Sequence, residues 1–170
     1  MPKVLDFSAA LPRATEIKNA GYNGVLLYCS PPREPWMKAK QPPRGYLDTL
    51  DRERVKFGFV WQYGGANAPD TMRGYAGGVA DARAAQEYLD SVACSGHPVF
   101  FSVDFNIPLA QWNTAAVEYF RGAVSILGRQ RVGIYGHSRA VAWAKEDNVV
   151  ATVAPGRALG WVTSSWNAVG

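Results

Sequence analysis

The strongest constraint on the fold is a hydrophobic period that switches back and forth along the chain. Five apolar runs alternate in character residue by residue: "KVLDFS" (Lys3–Ser8), "GVLLYCS" (Gly24–Ser30), "KFGFVWQYG" (Lys56–Gly64), "PVFFSVDFN" (Pro98–Asn106) and "RVGIYGH" (Arg131–His137). Each reads as a strand. A sixth is expected within "ALGWVTSSW" (Ala158–Trp166). The segments between them read as helices. Pro12 opens a short one that stops near Gly21. A Pro-rich loop, "PPREPWMKAKQPPRG", leads to a weak helical turn around Tyr46–Arg54. A long Ala-rich helix is expected from about Gly74 to Cys94. Trp112, Ala116, Phe120, Val124 and Leu127 recur at helical spacing within Leu109–Leu127, and another helix follows the fifth strand to about Glu146.

Strands separated by helices imply parallel pairing with right-handed crossovers, an α/β fold. An open doubly wound sheet and a TIM-type (β/α) barrel both satisfy that pattern. Neither GxGxxG nor GxxxxGK follows the first strand, which weighs against a nucleotide-binding sheet. The chain, residues 1–170, is the length of one domain with a sizeable core. With 48% hydrophobic and 19% charged residues it is globular in composition. No apolar run is long enough to span a membrane, and no signal peptide precedes the first strand, so synthesis in the cytoplasm is expected.

The net charge of +4 is spread, with a loose basic group at Arg33, Lys38, Lys40 and Arg44. That group reads either as a solvated surface or as attraction to an anionic polymer. No nucleic-acid motif accompanies it. Cys29 and Cys94 read as free thiols, and no Cys/His cluster has metal-site spacing. No metal or organic cofactor is expected, and the oligomeric state is not legible.

The strand faces carry the functional signal. In the fourth strand Val99, Phe101, Val103 and Phe105 share one face, and Phe100, Ser102, Asp104 and Asn106 the other. The second face grows polar toward its C-terminal end. The same trend gives Asp6 and Ser8 on the first strand, Tyr28 and Ser30 on the second, Gln62 on the third, and Tyr135 and His137 on the fifth. In a barrel that end holds the active site. Asp104 alone could be a loop-capping or Arg-paired acid. With Asp6 in the same position on the first strand, two carboxylates meet at one mouth. That suits glycoside hydrolysis, in which one acid protonates the leaving oxygen.

"VLDFS", "PVFFSVDFN", "YFRGAVSILG" and "RVGIYGHS", in this order and spacing, resemble the DUF1906 family, the Rv2525c-like glycoside-hydrolase-like domains. "GGVADARAAQEYLDSV" resembles that family's long helix ahead of the fourth strand. The family is related to GH25 lysozyme-like muramidases, β/α barrels that cleave peptidoglycan, found in actinobacteria and in phage endolysins. The resemblance implies a cell-wall glycan hydrolase with peptidoglycan as partner. It implies Asp6 and Asp104 as catalytic acids, with Gln62, Tyr63 and Tyr135 where substrate-lining groups would be expected; the strand faces add Tyr28, Asn106 and Trp161 as substrate-binding candidates, and His137 as a site-lining or loop-bonded residue. Trp61, like Tyr63 and Trp161, is a ring that could stack on sugars, although a Trp on a strand is more often core; Trp36 and Trp166, in or beside loops, are better candidates for exposed contacts.

Two departures stand out. Where the muramidases carry a second acid, this chain has Asn106, which cannot donate a labile proton. Asp104 then takes that role, or the barrel binds glycan without cutting it and acts as a cell-wall or phage structural module. Asp70 and Glu87 are the other acids considered, without support from spacing. The second departure is length: a full barrel of this type takes about 250 residues, so a short or truncated barrel of about six β/α units is expected. "GHSRA" (Gly136–Ala140) imitates a nucleophile elbow around Ser138, but His97 and His137 both precede it, against the α/β-hydrolase order.

Overall fold

The computed structural model describes residues 3–65 and 67–163. One sheet holds six strands: β1 (Val4–Asp6), β2 (Gly24–Tyr28), β3 (Lys56–Trp61), β4 (Val99–Ser102), β5 (Val132–Gly136) and β8 (Gly160–Val162). Every neighbouring pair is parallel, and the strands lie side by side in chain order. A doubly wound sheet reverses direction part-way; this one does not. Right-handed crossovers that always step the same way leave the helices on one face. The sheet curls around the other face as a half-barrel.

The convex face is the core. Val25 and Leu27, Phe59 and Trp61, Val99 and Phe101, and Val132 and Ile134 alternate onto it and are almost fully buried. Covering helices include α1 (Ala14–Asn19), α2 (Arg44–Arg52), α3 (Gly74–Ser91) and α6 (Ser138–Glu146). Helix α4 (Leu109–Gln111) runs through a π turn at Trp112–Ala116 into α5 (Val117–Leu127), so the expected single helix is continuous but locally widened. Of the two readings open for Trp61, the core one holds: it faces this core at 3% exposure and cannot reach a ligand.

Small residues set the distance between α3 and α5. A Cβ at Gly78 would stand 1.8 Å from the Tyr119 carbonyl oxygen, and one at Gly122 would stand 2.2 Å from that of Tyr75. The backbones therefore touch, which is why the α3 sequence is rich in Gly and Ala. A short hairpin, β6 (Thr152–Ala154) with β7 (Arg157–Ala158), was not expected; strands this short cannot display a period of two. Strand β8 lies within the expected sixth strand, whose end, with Trp166, falls outside the described residues.

Gly78→Ala is expected to force α3 off α5 and cost about 1–3 kcal/mol, read as a lower thermal midpoint by circular dichroism. Gly45→Ala is the matched control, because a Cβ there meets nothing within 4 Å. Equal midpoints for the two variants would contradict the packing described.

Candidate active site

The concave face becomes polar where the strands end. Asp6 closes β1 and Tyr28 closes β2; Gln62 follows β3 directly, and Asp104 stands two residues past β4. Tyr28 Oη donates to Asp6 Oδ2 at 3.3 Å, and Gln62 Nε2 donates to Asp104 Oδ2 at 2.7 Å. On β5 and β8, the Tyr135 and Trp161 rings lie 4.6 Å apart, and Tyr135 bonds to the Thr163 side chain.

The phenols register both acids. The Tyr28 hydroxyl is pushed up by burial first, then by Asp6, and also by Tyr135 and Asp104. Burial likewise raises Tyr135, with Asp104 and Asp6 adding to it. Both tyrosines therefore stay protonated and act as donors at neutral pH. Asp6, Tyr28, Gln62, Asp104, Tyr135 and Trp161 thus share one patch. Asp6 is exposed at its rim and Asp104 half-buried. Among the described residues no cation comes within ion-pair distance of either carboxylate.

A loop crosses the ends of β1 and β2 above this patch. Ala39 N–H donates to the Ser8 carbonyl at 3.1 Å and Gln41 N–H to that of Tyr28 at 2.8 Å. These bonds draw Lys40 inward to 7% exposure. Its Nζ donates to the Gln62 carbonyl at 2.5 Å and to Ser30 Oγ at 3.3 Å, and sits 4.7 Å from the centre of the Tyr28 ring. Lys40 thus touches both residues that bond the acids. Burial, then the Arg33 charge, pushes its pKa down to about 8.

The family model of the Rv2525c-like, glycoside hydrolase-like domain matches residues 15–168. This chain belongs to that family. A relative from Mycobacterium tuberculosis, named "Putative peptidoglycan hydrolase Rv2525c", is 30% identical over 149 residues. The match covers 86% of this chain but only 62% of that relative, so the chain spans less than two thirds of its length. A crystal structure of the Tat-secreted protein Rv2525c in complex with HEPES aligns at TM-score 0.89 and 27% identity, covering 98% of this chain and 81% of that one. A second crystal form, in complex with L-tartrate, gives 0.88 at 27%, over 96% and 78%. An uncharacterized B. stearothermophilus protein shares the fold at TM-score 0.64 and 16% identity, over 94% and 73%.

His137 and Asn106, expected to line the site, point away from the acids, and Tyr63 stands in an adjoining cleft. His137 has left strand β5 and become the N-cap of α6, so strand alternation no longer aims it. It is 1% exposed, its Nδ1 accepts from Ala140 N–H at 3.1 Å, and its ring meets Trp143 edge-on. It lines no cleft. Asn106 is exposed and accepts from Arg139 Nη2 at 3.2 Å, turned toward α6 rather than the acids. Tyr63 is exposed too, on the loop after β3, in a neighbouring cleft with Arg33 and Arg73. Nor is Asp70 a spare acid: it is 5% exposed and accepts N–H bonds from Tyr63 and Gly64 at 2.8 and 2.9 Å. Glu87 is exposed on α3, on the convex side. Lys40 is the residue that sequence reasoning missed, and only its place between Pro-rich turns and two strand ends hinted at it.

Lys40 makes stability depend on pH. Between about 8 and the ordinary lysine value near 10.5, the unfolded chain holds more protons here than the folded one. Stability therefore gains a rising component across that window and levels off above it. Lys40→Met is expected to remove that rise, seen in thermal midpoints recorded across the window. Identical pH slopes for parent and variant would rule out this burden on Lys40.

Proposed function

We propose that this domain hydrolyses a bacterial cell-wall glycan, peptidoglycan or a close relative of it, in the manner of a muramidase. The observation that carries this reading is how the acids are held. Asp6 and Asp104 are oriented by a tyrosine hydroxyl and a glutamine amide, not by Arg or Lys. Both carboxyls stand at or just past the C-terminal ends of strands on the concave face, beside aromatic hydroxyls. With no cation tied to it, each carboxyl is open to a hydrogen bond or a proton exchange with a substrate oxygen. Membership of the glycoside hydrolase-like family and the name of the M. tuberculosis relative support the same substrate class.

In this reading the fold is a shortened (β/α) barrel with its mouth at the strand C-termini. Asp104 protonates the leaving oxygen or orients the acetamido group of an N-acetylated sugar. Asp6 stabilises the positive charge that develops at the anomeric carbon. Tyr28 and Tyr135, protonated, donate to sugar oxygens, and the Trp161 ring offers an apolar surface to a sugar face. Action at the cell wall would follow export, or delivery as part of a phage endolysin.

One observation favours a second reading, a glycan-binding module without turnover. The position of the second muramidase acid holds Asn106, and Arg139 occupies its side-chain oxygen. Purified peptidoglycan incubated with the parent, Asp104→Asn and Asp6→Asn separates the two. The hydrolase reading expects new reducing ends by mass spectrometry from the parent, and a loss of about 100-fold or more in each variant. A parent that pellets with the wall yet releases nothing would leave the binding module standing and the hydrolase reading refuted.

A further inference from the structure

The acid pair leaves one side of the cleft unused, and that side is cationic. Arg33 lines two adjoining cavities, of about 180 and 310 Å³. The first also holds Tyr28, Lys40 and Gln62, so it opens directly onto the residues that orient Asp6 and Asp104. The guanidinium lies against the loop after β3. A Cβ at Gly65 would stand 3.1 Å from its Nη1, so a glycine there lets it rest on the backbone.

Among the described residues Arg33 makes no ion pair and no hydrogen bond. The neighbouring charges do not neutralise it. Lys40 is a second cation whose contacts are a hydroxyl, a carbonyl and a ring. Arg73 is already paired with Asp70 and Asp81. Asp70 is buried and taken up by Arg73 and two backbone N–H groups. Two like charges are thus held close together beside a cleft, and the acid nearby, Asp70, is already taken up by Arg73 and the backbone. Each disfavours the other until an anion arrives. On either side of Arg33 stands an exposed ring, Trp36 at 54% and Tyr63 at 43% exposure. Rings exposed to that extent at a cleft are ready to carry flat apolar faces, such as those of pyranose sugars.

We infer that Arg33, backed by Lys40, is the subsite for a carboxylate carried on a sugar, with Trp36 and Tyr63 as platforms for the adjoining rings. The preferred substrate is then an acidic saccharide. A guanidinium fork matches a carboxylate in two parallel hydrogen bonds. Sugar carboxylates occur on uronic acids and on lactyl ethers freed of any attached peptide, and both present that group. This inference rests on the glycan reading above and names the substrate chemistry of that site.

The test is calorimetric titration of the full chain on an Asp104→Asn background, so that ligands stay intact. The ligands are a peptide-free tetrasaccharide of alternating N-acetylglucosamine and N-acetylmuramic acid, the same compound with its carboxyls reduced to alcohols, and an oligouronide of equal length. The acid form is expected to bind about tenfold or more tighter than its reduced form. Arg33→Gln should erase that gap and leave the reduced ligand's affinity unchanged. Arg83→Gln, an equal charge change at an exposed position on α3, should preserve the gap. Tight binding of the oligouronide identifies a ring carboxylate as sufficient, whereas its failure beside a tight muramic ligand assigns the lactyl ether. If acid and reduced forms bind alike, or Arg33→Gln weakens both equally, the carboxylate subsite is overturned while glycan binding stands. If no saccharide binds at all, the glycan reading falls and this inference with it.

Discussion

Handedness is the constraint on which the rest of this structure depends. Right-handed crossovers are the rule for β–α–β steps, and here each step moves the chain to the next place in the same direction. The helices must then gather on one side. Side chains that alternate along a strand acquire opposite fates: one set is sealed beneath helices, the other faces a hollow. Val99 and Phe101 are fully buried, while Asp104, further along the same segment, stands at the lip of the hollow. No local property of Asp104 puts it there. Its place follows from the parity of its position and from the direction of the strand.

The hollow is not uniformly polar. Val4, Leu26, Gly58 and Phe100 line a cavity of about 350 Å³ in it, which Trp161 borders from the side of the acids. The polar groups are confined to the rim, and one loop organises them. By laying Lys40 over the Tyr28 ring and against the Gln62 carbonyl, the loop grips the two residues that in turn hold Asp6 and Asp104. The contact is costly, because an ammonium group loses water there without gaining a carboxylate. The same contact couples the geometry of the acids to the anchoring of a loop that also carries Arg33 and Trp36.

Much of this was legible from period and parity alone. The six parallel strands, the long Ala-rich helix and the grouping of Asp6, Tyr28, Gln62, Asp104 and Tyr135 all follow from alternation along apolar runs. The misreadings share a physical cause: parity holds only while a strand lasts. Strand β5 ends at Gly136, so His137 answers to the needs of a helix N-terminus instead. Strand β4 ends at Ser102, and by Asn106 the chain has turned toward α6. Trp61 obeyed parity, but on the buried side. Lys40 was hidden for another reason. Its burial depends on backbone bonds from Ala39 and Gln41 to residues far away in the chain, and no composition or spacing encodes them.

The absent second acid then has an electrostatic setting. Arg139 lies 3.2 Å from the Asn106 side-chain oxygen. A carboxylate at that position would face a guanidinium, which favours its charged form and makes it a poor proton donor. Asn, by contrast, satisfies Arg139 as a neutral acceptor and needs no proton of its own. Asn106 and Arg139 therefore satisfy each other without an acid at that position. The proposed general-acid role suits a carboxyl without a cation beside it. Among the acids on the concave rim, Asp104 meets that condition while also being partly shielded from water, whereas Asp6 is exposed.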